Sequence, residues 1–261
     1  MRLLSDRRPL IRNTILSSMT GQDFAALAPL LRVTVIQERM VLQEPGRPVD
    51  QVHFIESGLA SVRLVASDGM FEAAVAGRRC APGISCLLSF NTPVYQCVVL
   101  FSGTALSVAF DRLIPLLKER PHVAKHLASR DWALAHHCAQ SALCAVRHSL
   151  EQRVACWICT ACDALGGVVL PVTHQYLSSA LGLRRAGVSE VLAKFQQRSF
   201  IRNSRGVLYV DDRKRLAQLA CDCCSLISSV YTAVAEFRAP VEQTSEYEAI
   251  ELSRDVTNVY Q

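Results

Sequence analysis

The chain lacks any apolar run approaching the ~18 residues that a membrane-spanning helix needs. Its longest candidate, "VVLFSGTALSVAF", is interrupted by Ser102, Gly103 and Thr104 and reads as strand. The opening stretch "MRLLSDRRPLIRNTILSSM" has scattered charges and no apolar central region, which argues against a secretion signal. A cytoplasmic protein is the expectation. Phosphate-binding loop, dinucleotide fingerprint, Ser-His-Asp and zinc-hydrolase motifs are also missing, so catalysis is not expected. No internal repeat is evident. No cysteine precedes Cys80, and the stretch "APGISCLLSFNTPVYQCVV" contains no Lys or Arg.

The 261 residues are 50% hydrophobic, enough for a sizeable core without disulfides. The 11 cysteines should therefore be reduced thiols. Net charge is +5, but it is unevenly placed. Between Pro171 and Arg215 nine Lys/Arg face three Asp/Glu, a local +6 that points to a polyanionic partner.

The texture changes along the chain. Residues 12–31 carry Ile15, Leu16, Phe24, Leu27, Leu30 and Leu31 and read as one or two short helices, capped at Thr20 or Asp23. From Arg32 to Phe110, short β-branched runs alternate with turn signals such as "EPGRP", "ESG" and "SDGM", the pattern of a β-sandwich or roll. "FDRLIPLLKERP" then reads as a short helix. After Pro121 no Gly or Pro occurs until Gly166, so a long helix is expected. Leu127, Leu134 and Ser141, interleaved with Asp131, Cys138 and Ala145, give a 4-3-4-3 spacing with weak core residues. Such a helix suits a dimer seam at Leu127, Leu134, Cys138 and Ala145, or packing on its own β-domain. "RKRLAQLACDCCSLISSVYTAVAEF" reads as helical, and an acidic tail begins at Ala239.

The segment from Val172 to Asp212 is the most informative. Thr173 can cap a helix beginning at His174, with Leu177, Ala180 and Leu181 on one side. Gly182 ends that helix. Arg184 or Arg185 opens a second, with Val188, Val191, Leu192 and Phe195 inward. Small Ser178 sits where two helices approach. Arg185, Ala186, Ser189, Glu190 and Ala193 face away from the apolar stripe. "FIRNSRGVLYVDD" reads as a hairpin turning at Ser204–Arg205–Gly206, a wing with Arg205 near phosphate. Short helix, glycine turn, second helix and wing match a DNA-binding helix-turn-helix. An arginine at the start of the second helix can read guanine bidentately. A solvated basic hairpin is the bland alternative.

"LPVTHQYLSSALGLRRAGVSEVLAKFQQRSFI…SRGVLYV" resembles the winged helix of the Crp/Fnr superfamily of bacterial transcription regulators. "VLQEPGRPVDQVHFIESGLASVRLVASDG" resembles that family's β-roll. The resemblance covers roughly residues 12–225 and implies an α+β chain. Its parts would be a cyclic-nucleotide-binding-like β-roll over 12–120, a dimerisation helix and linker over 121–165, a winged helix over 166–238, and a tail over 239–261. It further implies a homodimer on a palindromic site in double-stranded DNA, with RNA polymerase as a candidate further partner. Arg185 would read the base. Thr173, Gln175, Arg184, Ser189 and Arg205 would be phosphate or flanking contacts. The family often has an acidic residue after that arginine and a basic one five positions after it. Here Ala186 and Glu190 stand there, and Glu190 could accept from cytosine or pair with Arg185.

Nucleotide-binding members of that family place a glutamate and an arginine where this chain has Ile84 and Tyr95, with Gln96 next. Cyclic-nucleotide binding is therefore not expected. The cysteines of "CWICTAC" and "CDCC" read as small core residues, and His122, His126, His136 and His137 as solvated or interfacial, so neither metal nor cofactor is expected. A ligand or redox sensor whose winged helix binds a protein partner is the competing function. Steep salt dependence separates DNA binding from it.

Overall fold

Asn13 caps the first helix, α1 (Thr14–Ser17), with its carboxamide oxygen accepting from Ile15 and Leu16 N–H. Its amide nitrogen donates to the carbonyls of Ile55 and Cys80 at 3.0 and 3.1 Å, which pins the N-terminal segment to the sheet. Thr20 caps α2 (Gly21–Leu27), and Asp23 lies in its first turn. The computed structural model describes residues 11–67, 69–88 and 92–236. The expected tail from Ala239 lies outside them.

Five strands make the β-roll: β1 (Arg32–Ile36), β2 (Val41–Gln43), β3 (Gln51–Ala66), β4 (Gly69–Ala76) and β5 (Gln96–Ala109). The order is β1-β5-β3-β4, all antiparallel, with β2 on the far end of β5. The long β3 and β5 bend where the register shifts between Ile55 and Ser57. Gly103 is required there: a Cβ would lie 2.0 Å from the Ser57 carbonyl oxygen. "ISCLL" is a short helix, α3 (Ile84–Leu88), inserted in otherwise β texture. One core cluster gathers Ile15, Leu16, Leu27, Phe54, Leu113 and Leu127 between the first helices, the roll and α4 (Phe110–Glu119).

The helical stretch expected over residues 121–165 is two helices. Helix α5 (Pro121–Arg147) stops where His148 turns extended at φ −111°, ψ 152°. Ser149 and Gln152 then form a reciprocal capping box that starts α6 (Leu150–Leu165). No glycine or proline is needed to start α6, because the box gives acceptors to two of its free backbone N–H groups. Helix α6 is buried on nearly every side and is the spine of the C-terminal core. It ends at Gly166, in the left-handed region.

The face of α5 expected to meet a partner turns inward. Leu127 is 0% and Leu134 8% exposed, each packed in the chain's own core, with Cys138 against the same cluster as Leu134. Ala145 lines the cleft between α5, β4 and α6. The exposed apolar stripe is the same 4-3-4-3 spacing moved on by one residue: Ala128, Trp132, Ala135, Ala139, Ala142 and Val146. Trp132 is 59% and Val146 81% exposed, and Leu143 flanks them at 48%. One residue is 100° around a helix, which is enough to exchange the inner face for the outer.

Helix α10 (Asp222–Glu236) returns to pack on α5, after α9 (Arg213–Leu219) and a break at Ala220–Cys221. Its Tyr231 joins Leu134, Val62 and Cys97 in a third core cluster. Among the described residues no single helix is long and apolar enough to cross a membrane.

Candidate nucleic-acid interface

Thr173 leaves the helical region at φ −94°, ψ 156°, and its hydroxyl accepts from Tyr176 N–H. That cap begins α7 (His174–Leu181). Gly182 ends it at φ 60°, ψ 42°, a conformation that L side chains resist, and its N–H returns to the carbonyls of Ser178 and Ser179. Arg184 is extended, and α8 (Arg185–Gln197) begins at the next residue. Leu177, Ala180, Val188, Leu192 and Phe195 are buried between the two helices and α6. Ser178 is buried as well, its hydroxyl donating to the Gln175 carbonyl.

The wing follows: β7 (Ile201–Ser204) and β8 (Val207–Val210), with β6 (Val169–Leu170) as a third strand on the other side of β8. Its tip is Arg205 and Gly206, both at positive φ (44° and 81°). Two such residues between paired strands match the twist of a tight hairpin.

These elements enclose an open polar groove. Its lining is Thr173, His174 and Gln175 from the start of α7, Arg185 from the start of α8, and Asn203, Arg205 and Gly206 from the wing. Arg184, the residue before Arg185, is exposed. Ser189 touches it through His174, whose Nδ1 lies 2.8 Å from the Ser189 hydroxyl. On the other ring nitrogen, Nε2, His174 accepts from the Asn203 amide. Nδ1 therefore carries the proton and donates to Ser189, leaving the serine hydroxyl hydrogen free to donate outward. Burial, helped by the Arg185 charge, lowers the His174 pKa, which favours this neutral form. Of the two roles open to Glu190, pairing with Arg185 is not the one seen: its carboxylate meets Lys194 at 2.8 Å, one turn further along. His174 and Asn203 did not stand out in the sequence. The only local signal was that His174 directly follows the Thr173 cap.

Ion pairs thin out the basic surplus. Lys194 pairs with Glu190, Arg198 with Glu151, Arg202 with Asp211, Arg213 with Asp163 and Arg215 with Asp212. Among the described residues, Arg184, Arg185, Arg205 and Lys214 carry the segment's uncompensated charge. Arg185 and Arg205 line the groove, and Arg184 precedes Arg185 in the chain.

The family described as a Crp-like helix-turn-helix domain matches residues 152–219. Residues 152–219 are therefore similar to a Crp-like helix-turn-helix domain. This domain begins within α6, so the buried spine helix belongs with the Crp-like helix-turn-helix that it supports. Solved structures extend the likeness to the roll. FixK2 from Bradyrhizobium japonicum matches with a TM-score of 0.64 at 17% identity, covering 73% of this chain and 98% of that one. The c-di-GMP responsive regulator CLP of Xanthomonas campestris matches at 0.60 and 14%, covering 73% and 99%. A transcriptional regulator of the crp/fnr family from Eubacterium rectale matches at 0.59 and 15%, covering 78% and 96%. The chain thus has the fold of Crp/Fnr-type transcription regulators: a β-roll, a long helix and a Crp-like helix-turn-helix. No curated protein matches it in sequence.

A polar contact joins that domain to the roll. Glu72 of β4 is buried, and its carboxylate accepts from Ser61 Oγ and Trp157 Nε1, each at 2.5 Å, and from the Tyr176 hydroxyl. Trp157 is on α6 and Tyr176 on α7, so one carboxylate ties the sheet to the helix-turn-helix. Burial pushes its pKa up, against the three donors and the Arg63 charge, which pull it down.

Proposed function

We propose that this chain is a DNA-binding transcription regulator that grips a palindromic operator as a homodimer. The groove carries this reading: Arg185 opens α8 without an acidic partner, and Arg205 faces the same space from the wing. Arg185 reads a base edge in the major groove. Arg184, Arg205, Thr173, Gln175 and the Ser189 hydroxyl hold phosphate on either side. Glu190, engaged with Lys194, contributes through the exposed face of α8 rather than through Arg185. The two protomers meet along Ala128, Trp132, Ala135, Ala139, Ala142 and Val146, where alanines let two helices approach closely.

Equilibrium binding to the preferred duplex over a range of salt tests this reading. With Arg184 and Arg205 of each protomer on phosphates, the slope of log K against log salt is about −4. Arg185→Ala costs about 1–3 kcal/mol on that duplex and relaxes one base position in each half-site. Salt-independent binding, or an Arg185→Ala protein with unchanged affinity and specificity, removes the groove from the account.

The roll does so without a cyclic nucleotide. Ile84 stands at the expected ribose-binding position, the Tyr95 hydroxyl is 3.1 Å from Ser85 Oγ, and Gln96 accepts from Arg63 Nε at 2.8 Å. Calorimetric titration with millimolar cyclic AMP or cyclic GMP gives no saturable heat; a saturable one overturns this part of the reading.

A further inference from the structure

All 11 cysteines are free and ten are buried, consistent with core residues. Four side chains depart from that pattern by including an imidazole. Cys144 is in the last turn of α5, and His148 is the residue that ends that helix. Cys221 lies in the break before α10, and Cys223 is in its first turn. Their sulfur and nitrogen atoms all lie within 4.8 Å of one another. The Cys144 and Cys221 sulfurs are 3.4 Å apart, and Cys223 Sγ is 3.6 Å from His148 Nδ1. Zn–S bonds of about 2.3 Å and a Zn–N bond of about 2.0 Å set tetrahedral edges of about 3.8 Å between sulfurs and about 3.6 Å between sulfur and nitrogen. The side chains already stand near those edges.

We propose that Cys144, His148, Cys221 and Cys223 form a tetrahedral site for one zinc ion or a similar thiophilic divalent cation. Three thiolates and one imidazole are a closed structural donor set, with no position left for water. A single ion suits atoms this close, since an iron–sulfur cluster places its irons and sulfides between its cysteines. Binding releases three thiol protons to solvent and leaves the site with one net negative charge. The Arg153 guanidinium, which acts on Cys144 through its charge, offsets that charge. The ion joins the end of α5 to the start of α10, beside the His148–Ser149 break that leads into the helix-turn-helix. The site stands on its own geometry, independent of DNA binding.

The full chain, stripped by a chelator under reducing conditions, is titrated with Co²⁺ and then Zn²⁺. One equivalent of cobalt should give the intense visible bands of a tetrahedral ion and a near-ultraviolet thiolate charge-transfer band. One equivalent of zinc should abolish both. His148→Ala, at a half-buried helix end outside the apolar clusters, should keep its circular dichroism and lose the tight equivalent. His148→Cys should retain it with a shifted cobalt spectrum. Cys97→Ser, in the roll, should leave binding unchanged. Three results overturn the proposal: no tight equivalent in the native chain, a cobalt spectrum indifferent to His148→Ala, or a Cys144–Cys221 disulfide in the freshly isolated protein.

Discussion

Glu72→Ala lowers the free energy of unfolding by about 2–4 kcal/mol, measured by denaturant titration. The substitution takes the acceptor from the Ser61 O–H, the Trp157 N–H and the Tyr176 O–H; each buried orphan costs about 1–3 kcal/mol, and the Ser61 hydroxyl can rotate to another acceptor. Loss of the carboxyl's own desolvation offsets part of the total. The effect is concentrated at one junction, so amide exchange should rise most in α7 and in β4. Glu72→Gln retains one acceptor oxygen and loses less. The pH profile separates the two. Because the folded pKa lies above the usual 4.5, the stability linked to the Glu72 proton is complete below 4.5 and is lost as pH rises through the folded value. Native stability therefore falls relative to Glu72→Gln across that window. A profile parallel to that of Glu72→Gln would show that Glu72 ionises as an ordinary carboxylate.

If the proposed seam on α5 holds, Ala139→Asp separates the dimer while leaving the protomer folded. Ala139 is exposed at the middle of the outer stripe of α5, so the protomer loses only the helix-propensity difference of about 0.7 kcal/mol. Across a two-fold seam it sets two carboxylates against each other, a juxtaposition that costs several kcal/mol. A dissociation constant raised by at least about 100-fold corresponds to ~3 kcal/mol. Operator affinity falls in the same variant, because one winged helix alone holds half of a palindrome. Leu134→Asp behaves differently. It buries an unpaired carboxylate within the protomer's own core and unfolds the chain rather than dissociating it. Sedimentation and circular dichroism on both variants decide between the two faces of α5. A dimeric Ala139→Asp protein that binds its site normally moves the seam elsewhere.

The two faces show what the sequence could and could not convey. Thr173, Gly182 and the Arg205–Gly206 tip act through local backbone chemistry, so helix, turn, helix and wing were legible to within about a residue at those points. Which face of α5 packs inward was not, because α5 is apolar on both sides. Its spacing repeats in two registers one residue apart, and only the packed roll determines which one faces inward. The break at His148 was written in "SLEQ" as a capping box, a signal weaker to the eye than Gly or Pro. Glu72 carried no signal at all: its partners Trp157 and Tyr176 lie 85 and 104 residues away. The same distance hid the cysteine–histidine cluster. Cys144 and Cys221 are separated by 77 residues, so the sequence supports reading each cysteine singly as core.

The central claim is that the groove of α7, α8 and the wing reads DNA in two symmetric copies. Selection of bound duplexes from a random library by the full chain, followed by sequencing, tests it most directly. The account predicts a palindromic consensus whose half-site centres are one helical turn, about 34 Å, apart, with one position relaxed in each half when Arg185→Ala is used. A library returned without enrichment, or enriched for an asymmetric single site, contradicts it.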